Sequence, residues 1–400
     1  MSASTTTPAA PRRGSFARRF VGYQVVAWLA LLALTIGHPW ATVAMLLLIA
    51  YVTAPILLLV RWRGWPFYPG ATFRVLVVRV TLYVQLLLPI VAGAAVSGML
   101  VGAFFHAPLA GGRWSAGVAF AVVVAFLVAG YVGSRWLSIR SFDVTIPGLP
   151  AALDGLRVVQ ISDLHVGPHI PRRFLRGVRS AIDRFTPDLI AVTGDLIDDR
   201  WEDVERYAEF FGDLRAPLGV FAIAGNHDVY AGWDEVAREL ARLTNSIVLV
   251  NDARIVERGG ASLAVVGVGD PAGRGRRWGG GGASHVAPDV ARAYAKVPRG
   301  VPVLALAHNP ALWPELAAHG ASLTLSGHTH WGQFAIPAAD WSLASLFLPH
   351  AMGIHREGRS LLYIHPGTGY WGIPFRIGAR PQVALLVLRG GAEPAITGRS

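Results

Sequence analysis

Four long apolar runs without a charged residue fill the first third of the chain: Val21–Ile36, Ala41–Val60, Val80–Phe105 and Ala116–Val132. A helix needs about 20 mostly apolar residues to cross the hydrocarbon core of a bilayer. Helices buried in soluble domains rarely reach that length without a charge, so the runs predict a four-span α-helical transmembrane bundle. The charges agree. Residues 1–141 carry eleven Arg and no Asp, Glu or Lys, whereas residues 142–400 carry 25 acidic and 25 basic side chains. The formal net charge of +11 therefore lies wholly in the apolar third. It speaks for a membrane and against a long nucleic acid, whose affinity needs clustered cations on the folded domain.

Orientation follows from the arginines. Arg12, Arg13, Arg18 and Arg19 precede the first run, Arg61, Arg63, Arg74 and Arg79 lie between the second and third, and Arg135 and Arg140 follow the fourth. Arg113 alone occupies the opposite side. The bias predicts a multi-pass protein of the cell (inner, cytoplasmic) membrane with both ends of the bundle, and the domain that follows it, in the cytoplasm. Trp28, Trp40, Trp62, Trp65, Trp114 and Trp136 sit mostly near run ends, as interfacial anchors do. The stretch "ARRF" weakly resembles a twin-arginine export signal, the one feature that favours the opposite side. No acid or Lys within the runs marks a transport pathway, so the bundle reads as an anchor. The absence of cysteine excludes disulfides, zinc–thiolate sites and iron–sulfur clusters. The expected organisation is a basic tail (1–19), the anchor (20–137), a linker with an opening strand (138–156), a soluble domain (157–390) and a tail (391–400).

In the soluble part, short apolar runs alternate with helical patterns at Arg172–Arg184, Trp201–Leu214 and Trp233–Leu243, which predicts a layered α/β domain. Five of the runs end in metal-capable side chains. "RVVQIS" leads to Asp163 and His165, "LIAVTG" to Asp195 and Asp198, "GVFAIAG" to Asn226, His227 and Asp228, "VLALA" to His308 and Asn309, and "LTLSG" to His328 and His330. Ligands of layered α/β proteins gather at strand carboxyl ends. Carboxylates, an amide and imidazoles with no sulfur suit Mn, Fe or Zn. Two or three of the carboxylates, one amide and four imidazoles make about eight donors, more than one tetrahedral ion takes and a match for two divalent metal ions, which a shared carboxylate holds about 3.5–4 Å apart for phosphoryl displacement.

In order and spacing these motifs resemble the five of the calcineurin-like metallophosphoesterases, and "LYIHPGTGYWGIPFRIG" followed by "VALLVL" resembles a membrane-linked bacterial branch of that family. The resemblance implies a four-layer αββα metallophosphoesterase sandwich. It implies that Asp163, His165 and His330 hold one metal ion, that Asn226, His308 and His328 hold the other, and that Asp195 bridges them. It further implies a metal-bridging hydroxide as nucleophile, His227 facing the leaving oxygen as general acid, and Asp198 holding the His227 ring in its useful tautomer. Ala311, Trp331 and Ser322 depart from residues common in that branch, and none of the three is an implied ligand. Asp199 and Asp228 read as loop-capping acids. His169, His285, His319, His350, His355 and His365 read as surface or packing residues.

Two further stretches bear on the substrate. The loop "GRGRRWGGGG" offers Arg274, Arg276 and Arg277 as a clamp on phosphate or on anionic lipid, against the plainer reading of a solvated loop. Trp331 either stacks on a substrate ring or packs. The apolar stretch Trp341–Met352 reads either as core or as a lip for acyl chains. Anchor and lip together favour a phosphate ester that is an amphiphilic lipid phosphate, with membrane lipid as neighbour. The expected function is a membrane-anchored dinuclear metallophosphoesterase acting on a phosphodiester or pyrophosphate. Its rivals are a nucleotide phosphodiesterase or nuclease, and a non-catalytic membrane sensor that keeps the metal site.

Overall fold

A computed structural model describes residues 13–61, 70–275 and 284–399. The chain divides into two compact units, one of residues up to 65 with 72–127, the other chiefly Val128–Ser400. The first unit is helical. It contains α1 (Arg13–Ala33), α2 (Pro39–Arg61), a single turn α3 (Ala71–Phe73) and a π-helical turn at Arg74–Val78 that runs into α4 (Arg79–Ala103). It also holds most of α5 (Pro108–Gly133). Apolar side chains cover these helices on all sides, and their small contact core includes Trp28, Leu31, Val52, Leu88 and Ala95. Where α4 meets α5 the backbones touch: a Cβ on Gly98 would stand 2.4 Å from the Gly111 carbonyl oxygen. Such glycine-lined contacts are how apolar helices associate in lipid.

Among the described residues, two helical stretches are long and apolar enough to cross a membrane, Arg74–Ala103 and Pro108–Gly133. The expectation of four spans is thus met in part. The other two apolar stretches, Arg19–Ala33 and Pro39–Pro55, are shorter. At 1.5 Å per residue the first rises only about 22 Å, against a hydrocarbon core of about 30 Å.

The second unit is an α/β sandwich of two sheets. Its strands are β1 (Ser138–Pro147), β2 (Arg157–Ile161), β3 (Leu189–Val192), β4 (Val220–Ala222), β5 (Ser246–Val248), β6 (Asp252–Arg258), β7 (Ala261–Gly267), β8 (Val303–Leu306) and β9 (Leu323–Ser326). There follow β10 (Ala335–Ile336), β11 (Trp341–Ser342), β12 (Gly353–Glu357), β13 (Ser360–Ile364), β14 (Gln382–Gly391) and β15 (Ala395–Gly398). One sheet runs β15-β1-β14-β2-β3-β4-β5 and the other β12-β13-β9-β8-β7-β6, while β10 and β11 pair apart. In the first sheet β2, β3, β4 and β5 are parallel, and β14 is inserted antiparallel to β2 and parallel to β1. In the second, β7, β8, β9 and β13 are parallel, with β6 and β12 antiparallel on the edges.

Strands buried on both faces read as continuous apolar runs, and these do. Val158, Leu189, Ala191 and Phe221 of the first sheet face Leu263, Val265, Leu304, Leu325 and Tyr363 of the second in one inter-sheet core. The outer face of the first sheet is covered by α6 (Arg172–Arg184), the short α7 (Asp203–Arg206) and α8 (Ala208–Gly212), and α9 (Asn226–Leu243). The outer face of the second packs on α10 (Val290–Tyr294) and the segment leading into α11 (Trp313–Ala318). The layers therefore run helix, sheet, sheet, helix.

α6 has the bounds its apolar spacing predicts, with Leu175, Val178, Ala181 and Ile182 buried. The helix expected over Trp201–Leu214 breaks at Tyr207 into α7 and α8. α9 starts at Asn226, well before the expected Trp233, and kinks at Gly232, whose φ of 113° is open to glycine.

Candidate metal centre

The parallel strands β2, β3 and β4 end beside one another, as do β7, β8 and β9 in the facing sheet. Their following loops meet at one rim. Donor atoms of Asp163, His165 and His330 lie within 4.8 Å of one another, as do those of Asp163, Asp195 and His308, and of His165, Asp195 and His227. The two carboxylates shared among these groups make the site continuous. His328 joins it through Asn226: its ring Nδ1–H donates to Asn226 Oδ1 at 2.8 Å. The His328 backbone N–H donates to Asp163 Oδ1 at 3.0 Å.

The loops hold these side chains by unusual backbone. Asp163, His165, Asp195, His328 and His330 all have φ between 45° and 69°, in the left-handed region. Each such non-glycine residue costs on the order of 1–3 kcal/mol, and strain of this kind gathers at functional sites. Neighbouring loops stabilise the conformation. Asp163 N–H donates to Gly194 O (2.9 Å), His165 N–H to Asp195 O (3.0 Å) and Gly327 N–H to His308 O (3.0 Å). At two positions only glycine leaves the space. A Cβ on Gly225 would stand 2.2 Å from Asp195 Oδ1, and one on Gly327 would stand 2.2 Å from Asp163 Oδ2.

The donors fit divalent cations. His308 Nδ1–H donates to Thr193 O at 2.8 Å, which leaves Nε2 as the coordinating nitrogen. That Nε2 is buried without a hydrogen bond, 3.3 Å from Asp195 Oδ2. Nε2 of His165 and Nε2 of His330 face each other at 3.0 Å, with Asp163 Oδ1 3.3 Å from the latter. Buried ring nitrogens converging with carboxylate oxygens are what a cation requires once the nitrogens have lost their protons. Without a bound cation, protons balance the charge instead. Burial would lower the His308 pKa, but the Asp195 carboxylate outweighs it and holds the ring well above the usual imidazole range. Burial, aided by the His308 charge, pushes His328 down to about 4. Burial raises Asp163; Asp195 is also buried, yet the His308 and His165 charges hold it below the usual carboxylate range.

His227 is half-buried, and its backbone N–H donates to Asp195 Oδ1 at 2.8 Å. The tautomer contact assigned to the Asp198 carboxylate is made instead by the Asp198 backbone: His227 Nδ1–H donates to its carbonyl oxygen at 2.7 Å. The carboxylate is farther from His227 (3.8 Å) than from His165 Nδ1 (3.5 Å), so it reaches a proposed ligand as well. Asp228 is a capping acid. It accepts from the N–H groups of Leu196 (3.0 Å), Ile197 (3.2 Å) and Gly225 (2.9 Å) and so ties the Asp195 loop to the start of α9. Burial and the Asp195 charge raise its pKa to about 7. Asp199 is exposed near Asp198 and His227.

Among the expected substrate residues, Arg276 and Arg277 lie outside the described residues, and Arg274 is exposed with a contact to Pro288 O at 3.4 Å. Trp331 packs. Its indole N–H donates to Ile364 O at 2.9 Å and its partly buried ring borders two small apolar clusters. The aromatic rings beside His227 are Tyr230 and Trp371, 5.8 and 6.2 Å away between centroids. Trp341–Met352 divides: Ala344 and Met352 are buried, while Leu346 is 60% and Phe347 80% exposed.

Three further groups escaped the sequence reading. Arg376 is fully buried and donates to the carbonyls of His330 (3.0 Å) and Pro366 (2.6 Å) and to His330 Nδ1 (2.7 Å). Asp270, just past β7, is buried with one oxygen unpartnered among the described residues. Its signal was present, since "LAVVGVGD" is a sixth apolar run ending in an acid. His169, expected to be a surface or packing residue, is half-buried with Nδ1 3.8 Å from Asp198 Oδ2.

The profile of the calcineurin-like phosphoesterase family matches residues 156–332, which hold every residue of the proposed centre. The chain carries a calcineurin-like phosphoesterase domain. The phosphoesterase domain is similar to that of a zebrafish (Danio rerio) transmembrane protein with metallophosphoesterase domain, 34% identical over 59% of this chain and 54% of that protein. The uncharacterized metallophosphoesterase YkuE of Bacillus subtilis is 26% identical over 59% of this chain and 80% of its own length. The UDP-2,3-diacylglucosamine pyrophosphatase LpxG of Chlamydia trachomatis is 27% identical over 58% of this chain and 84% of its own. The chain spans little more than half the length of several curated relatives it matches. The family profile does not reach the apolar first third.

Proposed function

We propose that this chain is a membrane-anchored phosphohydrolase that uses two divalent metal ions to cleave a phosphodiester or pyrophosphate of an amphiphilic, lipid-linked substrate. The observation that carries the reading is the convergence of five loops from two sheets on buried, cation-competent donors around Asp195. Asp163, His165 and His330 would hold one ion and Asn226, His308 and His328 the other, with Asp195 between them. Bound divalent ions would acidify a water near neutral pH and withdraw charge from phosphate oxygens. The protein's own groups do the rest. The Asp198 carbonyl holds Nδ1–H of His227, so Nε2 is the atom that would pass a proton to a leaving oxygen from the imidazolium form of the ring. The left-handed loops keep the donors in place before substrate arrives. Tyr230 and Trp371 flank His227 with apolar surface for the substrate's leaving group.

Four spans, with the phosphoesterase domain in the cytoplasm, remain the reading that the arginine distribution favours. The two long apolar helices and the printed name of the zebrafish relative support attachment to a membrane. The exposed Leu346 and Phe347 and the diacylated substrate in the name of the Chlamydia relative support an amphiphile. The test is elemental analysis of the detergent-purified chain together with hydrolysis of soluble aryl phosphates and of lipid phosphates. We expect two ions per chain and faster turnover of the lipid esters. Asp195→Asn should lose metal. His227→Ala should keep metal and lose turnover by about 10²–10⁴-fold. A metal-loaded His227→Ala variant as active as the parent would refute the assignment.

A further inference from the structure

We propose that a cavity of about 300 Å³ beside the metal centre seats the phosphate headgroup of an anionic bilayer lipid, held by Arg135 and Arg173. This rests on the reading of α5 as a membrane-spanning helix. The cavity lies within the second unit. Two arginines line it and no carboxylate does, while Leu137, Ile170, Phe174 and Tyr370 give it apolar walls. Charge and polarity therefore match a headgroup with the first carbons of its chains.

The placement of the cations is informative. Arg173 stands in the first turn of α6, where a cation opposes the helix dipole and an acid would be favoured. α6 has no acid in that turn and no side-chain cap from Pro171. Its neighbour Arg172 is drawn to Glu209 at 3.3 Å, which accounts for one cation of the pair. Arg173 is exposed and lines the cavity, where an anion would meet its guanidinium. Arg135 has its guanidinium 4.3 Å from the centre of the Tyr131 ring, a contact that orients it.

The source of the anion follows from position along the chain. The cavity wall starts at Ser134, one residue past the last residue of α5. Residues that close follow a spanning helix into the headgroup layer, where basic and aromatic side chains concentrate. Trp136 there is exposed and carries the Arg380 guanidinium 4.2 Å over its ring. The inner wall belongs to the loops of the metal centre. His169 approaches the Asp198 carboxylate, and Tyr370 follows Gly369, whose N–H donates to Asp163 O at 2.9 Å. A lipid headgroup held here would sit against the loops that carry two proposed metal-centre acids.

The test uses the full chain, stripped of lipid in a non-ionic detergent. It is titrated with short-chain phosphatidylglycerol, short-chain phosphatidylcholine or inorganic phosphate, and adducts are read by native mass spectrometry. Phosphatidylglycerol should bind as a saturable one-to-one adduct, phosphatidylcholine more weakly, and inorganic phosphate should not displace it. Arg173→Glu should weaken that adduct by roughly tenfold or more, yet melt no lower than the parent because it places an acid at a helix start. Arg135→Ala should weaken binding likewise. Phosphatidylglycerol binding unchanged in both variants, equal binding of the two lipids, or displacement by inorganic phosphate would each overturn the proposal. The underlying reading fails differently. A chain that stays in solution without detergent and does not partition into vesicles is not membrane-anchored, whatever its arginines bind.

Discussion

Gly327→Ala is expected to disable the metal centre while leaving the sandwich folded. The backbone of Gly327 is not in the left-handed region, so alanine is conformationally allowed and only space opposes it. The new methyl carbon would stand 2.2 Å from Asp163 Oδ2 and 2.0 Å from Ser162 Oγ, where ordinary contact begins at 3.4 Å. The carboxylate must therefore retreat by about 1 Å, whereas workable metal–ligand distances vary by only about 0.2 Å. Asp163 has no exposed surface to swing into and is already tied to the His328 N–H. A displacement of about 1 Å at a reacting centre lowers rates on the order of 10²-fold. The overpacking itself should cost about 1–3 kcal/mol, too little to unfold a domain of ordinary stability. Metal content after dialysis, turnover of a soluble aryl phosphate and melting of the metal-free protein measure the three effects separately. A Gly327→Ala protein with full metal content and parental turnover would refute the geometry on which the site rests. Gly225→Ala should be harsher, because its methyl would meet the Asp195 backbone nitrogen at 2.3 Å as well as the carboxylate.

Asp228→Ala leaves three buried N–H groups without their acceptor, and at about 1–3 kcal/mol for each it should destabilise the second unit by about 3 kcal/mol or more. Asp228→Asn keeps one acceptor oxygen and should cost less; the unfolding midpoints of the two variants decide. At the other side of the first sheet, some burial would raise the Asp143 pKa, but hydrogen bonds from Arg389 and Arg399 outweigh it and hold the carboxyl below its ordinary 3.8. Its stabilisation is therefore present above pH 3.8 and is lost as the pH falls through the lowered folded value. Asp143→Asn should melt lower than the parent at neutral pH, and the gap should close in strong acid; a gap independent of pH would show that the ion pairs contribute nothing.

Much of the candidate centre was legible because each donor loop follows a short apolar strand, and a strand buried on both faces is easy to recognise. Asp163, Asp195, Asn226, His308 and His328 were singled out by that rule, and the same rule applied to β7 would have reached Asp270. Arg376 could not be found in this way. Nothing near it in sequence explains burying a guanidinium, since its acceptors, the carbonyls of His330 and Pro366, come from other loops. Trp331 was selected for being next to a ligand, yet its left-handed backbone turns the ring onto Ile364. The aromatic side chains near His227 come from α9 and from the loop after β13, separated by over a hundred residues. Whether an apolar run spans a membrane is likewise a matter of helix length. That α2 continues through Pro55, and that Arg19–Ala33 has a modest reach, are visible only as structure.

The position of β14 bears on how such a chain is made. Its residues 382–391 lie between β1 and β2, whose last residue is 161. At ordinary translation speeds of about 5–20 residues per second, roughly 10–45 s separate the emergence of β2 from that of β14. Throughout that interval two strand edges wait unpaired, and such edges invite association with other chains. A nascent polypeptide already threaded through its apolar helices would be held apart from its siblings while the sheet lacks that inner strand. Tethering could then serve biogenesis before it serves catalysis, and a version expressed without residues 1–127 should depend more heavily on chaperones.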